Sequence, residues 1–78
     1  MPTVGRSGPY RLYFYSDEGF EPAHIHVERD DLDAKFWILP VELAGFHGFG
    51  PRELRVIEKL VIAEEARNAQ AWRRHFGG

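Results

Sequence analysis

The chain has 78 residues, a formal net charge of −2 and no cysteine, so it reads as a single domain, 1–78, without disulfide or thiolate-zinc chemistry. Hydrophobic residues at 44% and charged residues at 28% exclude a disordered chain, and the slight acidity argues against a general binder of polyanions. With no bilayer-length apolar run and no signal-peptide core in Met1-Pro2-Thr3-Val4-Gly5-Arg6, the expectation is a cytoplasmic protein that needs no membrane.

Tyr10 to Ser16 alternates and is rich in aromatics, which predicts a strand with Leu12 and Phe14 on one face. Gly19 and Pro22 mark Asp17 to Ala23 as a loop. The next strand runs from about His24 to Arg29 and buries Ile25 and Val27, and Asp30-Asp31-Leu32 makes a tight polar turn. A third strand, about Asp33 to Leu39, sets Ala34, Phe36 and Ile38 against Lys35 and Trp37 until Pro40 ends it. Thr3 to Arg6, turning through Ser7-Gly8-Pro9, is a candidate fourth strand with Val4 as its one apolar anchor. The short links favour an antiparallel meander of three to four strands over about residues 3–39.

Residues 40–50 form a glycine-rich connection, in which Leu43, Phe46 and Phe49 are expected to fold back as a plug over the core. Pro51 then opens a helical region over 51–76, since the first helical turn tolerates a missing N–H. Leu54, Ile57, Leu60 and Val61 make its apolar stripe. The pattern continues to Trp72 and Phe76, an i,i+4 aromatic pair, and Gly77-Gly78 ends it. One kinked helix and a helix pair fit this pattern equally. The predicted class is therefore α+β, a meander packed on one face by a C-terminal helix or helix pair.

The alternation makes the two sheet faces unlike. Leu12, Phe14, Ile25, Val27, Ala34, Phe36 and Ile38 form an apolar face for Leu54, Ile57, Val61 and Trp72 to cover. The opposite face gathers Arg11, Tyr13, Tyr15, His24, His26, Glu28, Lys35 and Trp37, with no second layer of chain left to bury it.

His24-x-His26 is the densest chemical signal, because i,i+2 spacing in a strand places both imidazoles on one face. One role is general acid/base catalysis, with His24 or His26 oriented by Glu21 or Glu28. A ribonuclease would use such a group together with a cation for the phosphate, from Arg11, Arg29 or Lys35, and with Tyr13, Tyr15 and Trp37 as stacking surfaces. A second role is a divalent metal held by His24 and His26, with Glu28, Glu21 or Asp17 as third ligand. A third is structural, in which cross-strand aromatic and charged pairs stabilise an exposed sheet. His47 and His75 have no spaced partner and read as structural or surface residues. Eight of the ten basic residues are arginine, and those at 52, 55, 67, 73 and 74 read as a solvated helix face pairing with Glu53, Glu58, Glu64 and Glu65.

Tyr13-Phe14-Tyr15-Ser16, Glu18-Gly19, Glu21-Pro22-Ala23-His24-Ile25-His26-Val27, Ala34-Lys35-Phe36-Trp37 and Gly48-Phe49-Gly50-Pro51-Arg52-Glu53-Leu54 together resemble a small bacterial family catalogued as domain of unknown function 4160. The resemblance extends from Thr3 to Phe76. It implies a cytoplasmic protein encoded beside a second small protein, in a two-gene arrangement similar to a toxin-antitoxin module. Ala23 stands where a second proline is common and Gly50 where a capping serine is common, and a glycine cap costs only a few tenths of a kcal/mol relative to serine. The resemblance brings no established catalytic residues. The leading expectation is a toxin-like partner that acts on or binds RNA through the His24/His26 face. The alternatives are a non-catalytic module docking a partner protein or a second copy of itself, and a metal-binding domain.

Overall fold

A computed structural model of the chain describes residues 3–17 and 19–77. Glu18 of the family motif and Gly78 of the expected helix stop lie outside the described residues, as do Met1 and Pro2. Five strands and two helices follow in the order β1 Thr3–Ser7, β2 Tyr10–Tyr13, β3 His24–Arg29, β4 Leu32–Ile38, β5 Val41–His47, α1 Pro51–Ala63 and α2 Glu65–Phe76. The sheet is an antiparallel meander in the order β1-β2-β3-β4-β5. The class is α+β, as the sequence pattern predicts, but the strands number five rather than three to four.

The extra strand lies where the glycine-rich connection was expected. Val41 and Leu43 alternate inward against Ile38 and Phe36, and a bulge then displaces the register so that Lys35 faces Gly45. A bulge adds one residue to one strand and breaks its period of two, which is why the alternation of this segment fades at Ala44. Only Phe49 of the three expected plug residues is buried; Leu43 is half-buried in β5 and Phe46 is exposed.

Strand β2 is shorter than predicted, ending at Tyr13 rather than Ser16. Phe14 leaves the ladder and turns inward, where its ring meets Trp72, His75 and Phe76 at 5.2–5.4 Å between centroids. The aromatic end of α2 thus holds the chain away from the sheet. Phe76 also lies against the loop, since a Cβ at Gly19 would collide with its ring.

The predicted apolar face is the core. Leu12, Ile25, Val27, Ala34, Phe36 and Ile38 are buried with Phe49, Ile57, Val61 and Ala69. The helical region is a pair: α1 starts at Pro51 behind Gly50 and ends at Glu64, whose φ of −102° and ψ of 13° interrupt the helix. Gly77 closes α2 in the left-handed region at φ 75°, its N–H donating to the Arg73 carbonyl.

One polar tie anchors α1 to the sheet. Arg29 Nε and Nη2 donate to the two oxygens of Glu53 at 2.7 and 2.8 Å, and Tyr10 Oη donates to Glu53 Oε2 at 2.8 Å. The bonds from Arg29 and then from Tyr10 hold the Glu53 carboxyl below the usual carboxylate range. Arg29, a candidate phosphate cation on sequence grounds, alternates onto the core side of β3 and is committed to this clamp.

Candidate functional site

Register, more than proximity in sequence, assembles the polar face. Arg11 faces Glu28, Tyr13 faces His26, His26 faces Lys35, and His24 faces Trp37 across neighbouring strands. Directly opposed residues in an antiparallel pair bring their Cβ atoms within roughly 4.5–5.5 Å. The predicted site residues of β2, β3 and β4 therefore converge.

The result is a continuous row of rings. Tyr13 stacks on His26 with centroids 5.2 Å apart and planes 20° from parallel. Tyr15, beyond the end of β2, meets the edge of His26 at 5.1 Å and of Tyr13 at 5.5 Å. His24 stands edge-on to His26 at 5.2 Å and to Trp37 at 5.7 Å. Cations lie over both ends of the row, Arg11 4.5 Å from the Tyr13 centroid and Lys35 4.7 Å from that of Trp37. Each is also ion-paired, Arg11 with Glu28 at 2.6 Å and Lys35 with Glu21. Burial, with a hydrogen bond shared with Tyr15 and the nearby Glu28 and Asp33 carboxylates, pushes the Tyr13 hydroxyl above its ordinary range.

The histidine pair divides. His24 is fully buried, its ring against Trp72 at 4.7 Å, and its Nδ1–H donates to the Pro22 carbonyl at 2.9 Å. This corrects the expectation of an exposed His24. The first residue of β3 lies at the end of the sheet, where the loop before it and the C-terminal turns of α2 close over its ring. Glu21 Oε1 lies 3.9 Å from the same nitrogen, too long for a hydrogen bond, and its closer partner is Lys35. His26, one strand step further in, is half-buried and lines an opening.

That opening is a depression of about 260 Å³ over β3, β4 and β5, lined by His26, Asp33, Ala34, Lys35, Gly45, Phe46 and His47. Its floor is low because Gly45, opposite Lys35, has no side chain. His47, opposite Asp33, brings a second imidazole to the depression that His26 lines. Sequence reasoning leaves His47 without a partner because His47 itself lies on the fifth strand, beyond the expected meander. The inward alternation of Val41 and Leu43 after Pro40 was the available signal, and reading it through a bulge would have put Gly45 and His47 on the polar face.

The metal reading needs a third ligand beside the two histidines. Among the described residues no group of three His, Cys, Asp or Glu side chains is arranged to hold a metal ion, and His24 directs Nδ1 to the Pro22 carbonyl. Asp17, a candidate third ligand, is an exposed loop residue. No helix among the described residues is long and apolar enough to cross a membrane.

Comparisons with curated proteins and with solved structures found no match to this chain. The sequence profile of one family, described as Domain of unknown function (DUF4160), matches residues 10–73, a span that includes β2 through most of α2 and every residue of the ring row, and the chain belongs to that family.

Proposed function

We propose that this protein binds single-stranded RNA on the β2–β5 face, as the toxin-like half of a two-gene module. The observation that carries the binding reading is the ring row flanked by Arg11 and Lys35 beside the depression at Gly45. Proteins that read single strands offer aromatic faces to successive bases and cations to the backbone between them. Tyr15 is exposed and Trp37 half-accessible, so both are available for stacking. The pairing of Arg11 and Lys35 with carboxylates reduces the net positive field of this face, which favours a short, stacked segment over a long polyanion track. The two-gene role rests on the family resemblance alone.

Fluorescence titration of the purified chain with short oligoribonucleotides tests the binding. Stacking is worth about 1–3 kcal/mol per base, so Tyr15→Ala and Trp37→Ala are each expected to weaken binding by roughly 5- to 150-fold. Absence of binding by the wild type, or wild-type binding by both variants, overturns the reading. The toxin-like role is tested by induced expression, with His26→Ala relieving a growth defect that the wild type causes. His24→Ala is unsuitable for that purpose, because the ring is part of the packed interior.

A second reading, a non-catalytic module that docks a partner protein, is supported by β5. This strand is an edge of the sheet and exposes Phe46 at 55%. Open edges of this kind accept an added strand. Ala44→Pro, which would block such pairing, is expected to abolish co-purification of the neighbouring gene product; unchanged co-purification removes this reading.

A further inference from the structure

The depression at Gly45 contains more chemistry than base stacking requires. His26 from β3 and His47 from β5 enter it from two sides, with Lys35 on the intervening strand β4. In the ladder His26 is directly opposite Lys35, Lys35 is directly opposite Gly45, and His47 lies two residues along β5 from that glycine. Lys35 thus lines the depression between the two histidine-bearing strands, its ammonium over the Trp37 ring and paired with Glu21, and Gly45 leaves the floor without a side chain. Asp33, opposite His47, is placed to orient the second imidazole.

We infer that this depression is a metal-independent phosphodiester transesterification site, in which His26 and His47 are the acid-base pair and Lys35 is the charge stabiliser. The inference rests on the RNA reading of the same face and names the reaction it performs. Cleavage of RNA by its own 2′-hydroxyl needs three groups around one phosphate: a base for the attacking oxygen, an acid for the departing one, and a cation for the charge that builds up between. One imidazole, neutral at the start, removes the 2′-OH proton. The 2′ oxygen forms a bond to phosphorus, and the bond from phosphorus to the 5′ oxygen of the next nucleotide breaks. The other imidazole, protonated at the start, gives its proton to that 5′ oxygen. The products are a 2′,3′-cyclic phosphate and a 5′-hydroxyl, and exchange with water restores the two protonation states. No electron is transferred and no metal or co-reactant is consumed. Lys35 already spends one N–H on Glu21, and an ammonium carries two more for the non-bridging oxygens.

His24 has no part in this chemistry. The depression does not include it, and its buried ring fixes the end of β3 that sets the position of His26. The acid-base partner of His26 is thus on another strand, and the adjacent histidine of the motif is a packing residue.

Two variants leave the interior untouched. His47 is exposed on an edge strand, and a Cβ at Gly45 would meet nothing within 4 Å. Gly45→Val therefore fills the floor with a residue that strands accept. The test is incubation of the full-length purified chain with an end-labelled single-stranded oligoribonucleotide of mixed sequence in excess EDTA. An all-deoxy version serves as control. The wild type is expected to release fragments ending in 2′,3′-cyclic phosphate and to leave the deoxy strand intact. His26→Ala and His47→Ala are each expected to slow turnover by roughly 10²- to 10⁴-fold, and Gly45→Val is expected to abolish cleavage. RNA that is bound but left uncut overturns this inference and leaves the RNA-binding reading standing, whereas RNA that is not bound at all removes both. Cleavage that stops in EDTA, or that persists undiminished in His47→Ala, overturns the inference as well.

Discussion

The polar face has a closed end and an open end, and the same alternation built both. At the closed end His24 packs against Trp37 and Trp72 with no exposed surface. At the open end His26, Lys35 and His47 surround a depression floored by glycine. The difference arises outside the sheet, from what each strand end meets. Trp72 and Phe76, on the last turns of α2, pack with Phe14 at the closed end, whereas the described residues that line the depression at the open end all come from strands. Two imidazoles spaced i,i+2 are chemically equivalent in sequence and acquire different roles from a helix far along the chain.

The largest test of that contrast removes the cover. Trp72 is 7% exposed and touches Phe14, His24 and Phe76. Trp72→Ala is expected to cost about 3–5 kcal/mol, a large share of the stability of so small a domain, as measured by urea denaturation. A loss below about 1 kcal/mol would mean that the closed end is held by something else.

His24→Ala probes the same end more narrowly. It leaves a cavity between two indoles and deprives the Pro22 carbonyl of its donor, for an expected loss of about 2–3 kcal/mol. His26→Ala, at a half-buried ring on the same strand, is expected to cost about 1 kcal/mol or less. Equal losses would erase the distinction between the two histidines.

The core side offers a pH-dependent counterpart. Glu53 is held below the usual carboxylate range by Arg29 and then by Tyr10, so it binds fewer protons folded than unfolded across the acidic range. Its contribution is complete above the unfolded carboxylate pKa and is lost as pH falls through the folded value. Glu53→Gln is therefore expected to lower the denaturation midpoint at neutral pH, with the gap to the wild type narrowing as the solution is acidified. A gap that widens in acid contradicts the clamp.

How much of this was legible follows from the same geometry. The apolar face of β2 to β4 could be read because apolar and polar residues alternate within each of these strands, at Leu12, at Ile25 and Val27, and at Ala34, Phe36 and Ile38. The ring row could be read for the same reason, since register in a meander follows from alternation and turn length. Three features could not. The apolar stripe runs to about Glu64, but no glycine or proline there decides between a kink and a break into two helices. The burial of His24 depends on Trp72, and nothing local to the motif encodes that contact. The fifth strand is interrupted by a bulge at Ala44, between Leu43 opposite Phe36 and Gly45 opposite Lys35.

The smallest stability effect is expected where the functional effect is expected to be greatest. His47 is exposed on edge strand β5, and substitutions at such positions usually stay within about ±0.5 kcal/mol. His47→Ala should therefore unfold at the wild-type urea concentration, within error, while losing turnover of RNA. Trp72→Ala should lose both together, since unpacking the closed end releases the strand that positions His26. A His47→Ala protein that is both stable and fully active would show that the open end is a recognition surface without chemistry. One that is markedly destabilised would show that His47, like His24, is part of the packing, and the contrast between the two ends of the face would then be one of degree.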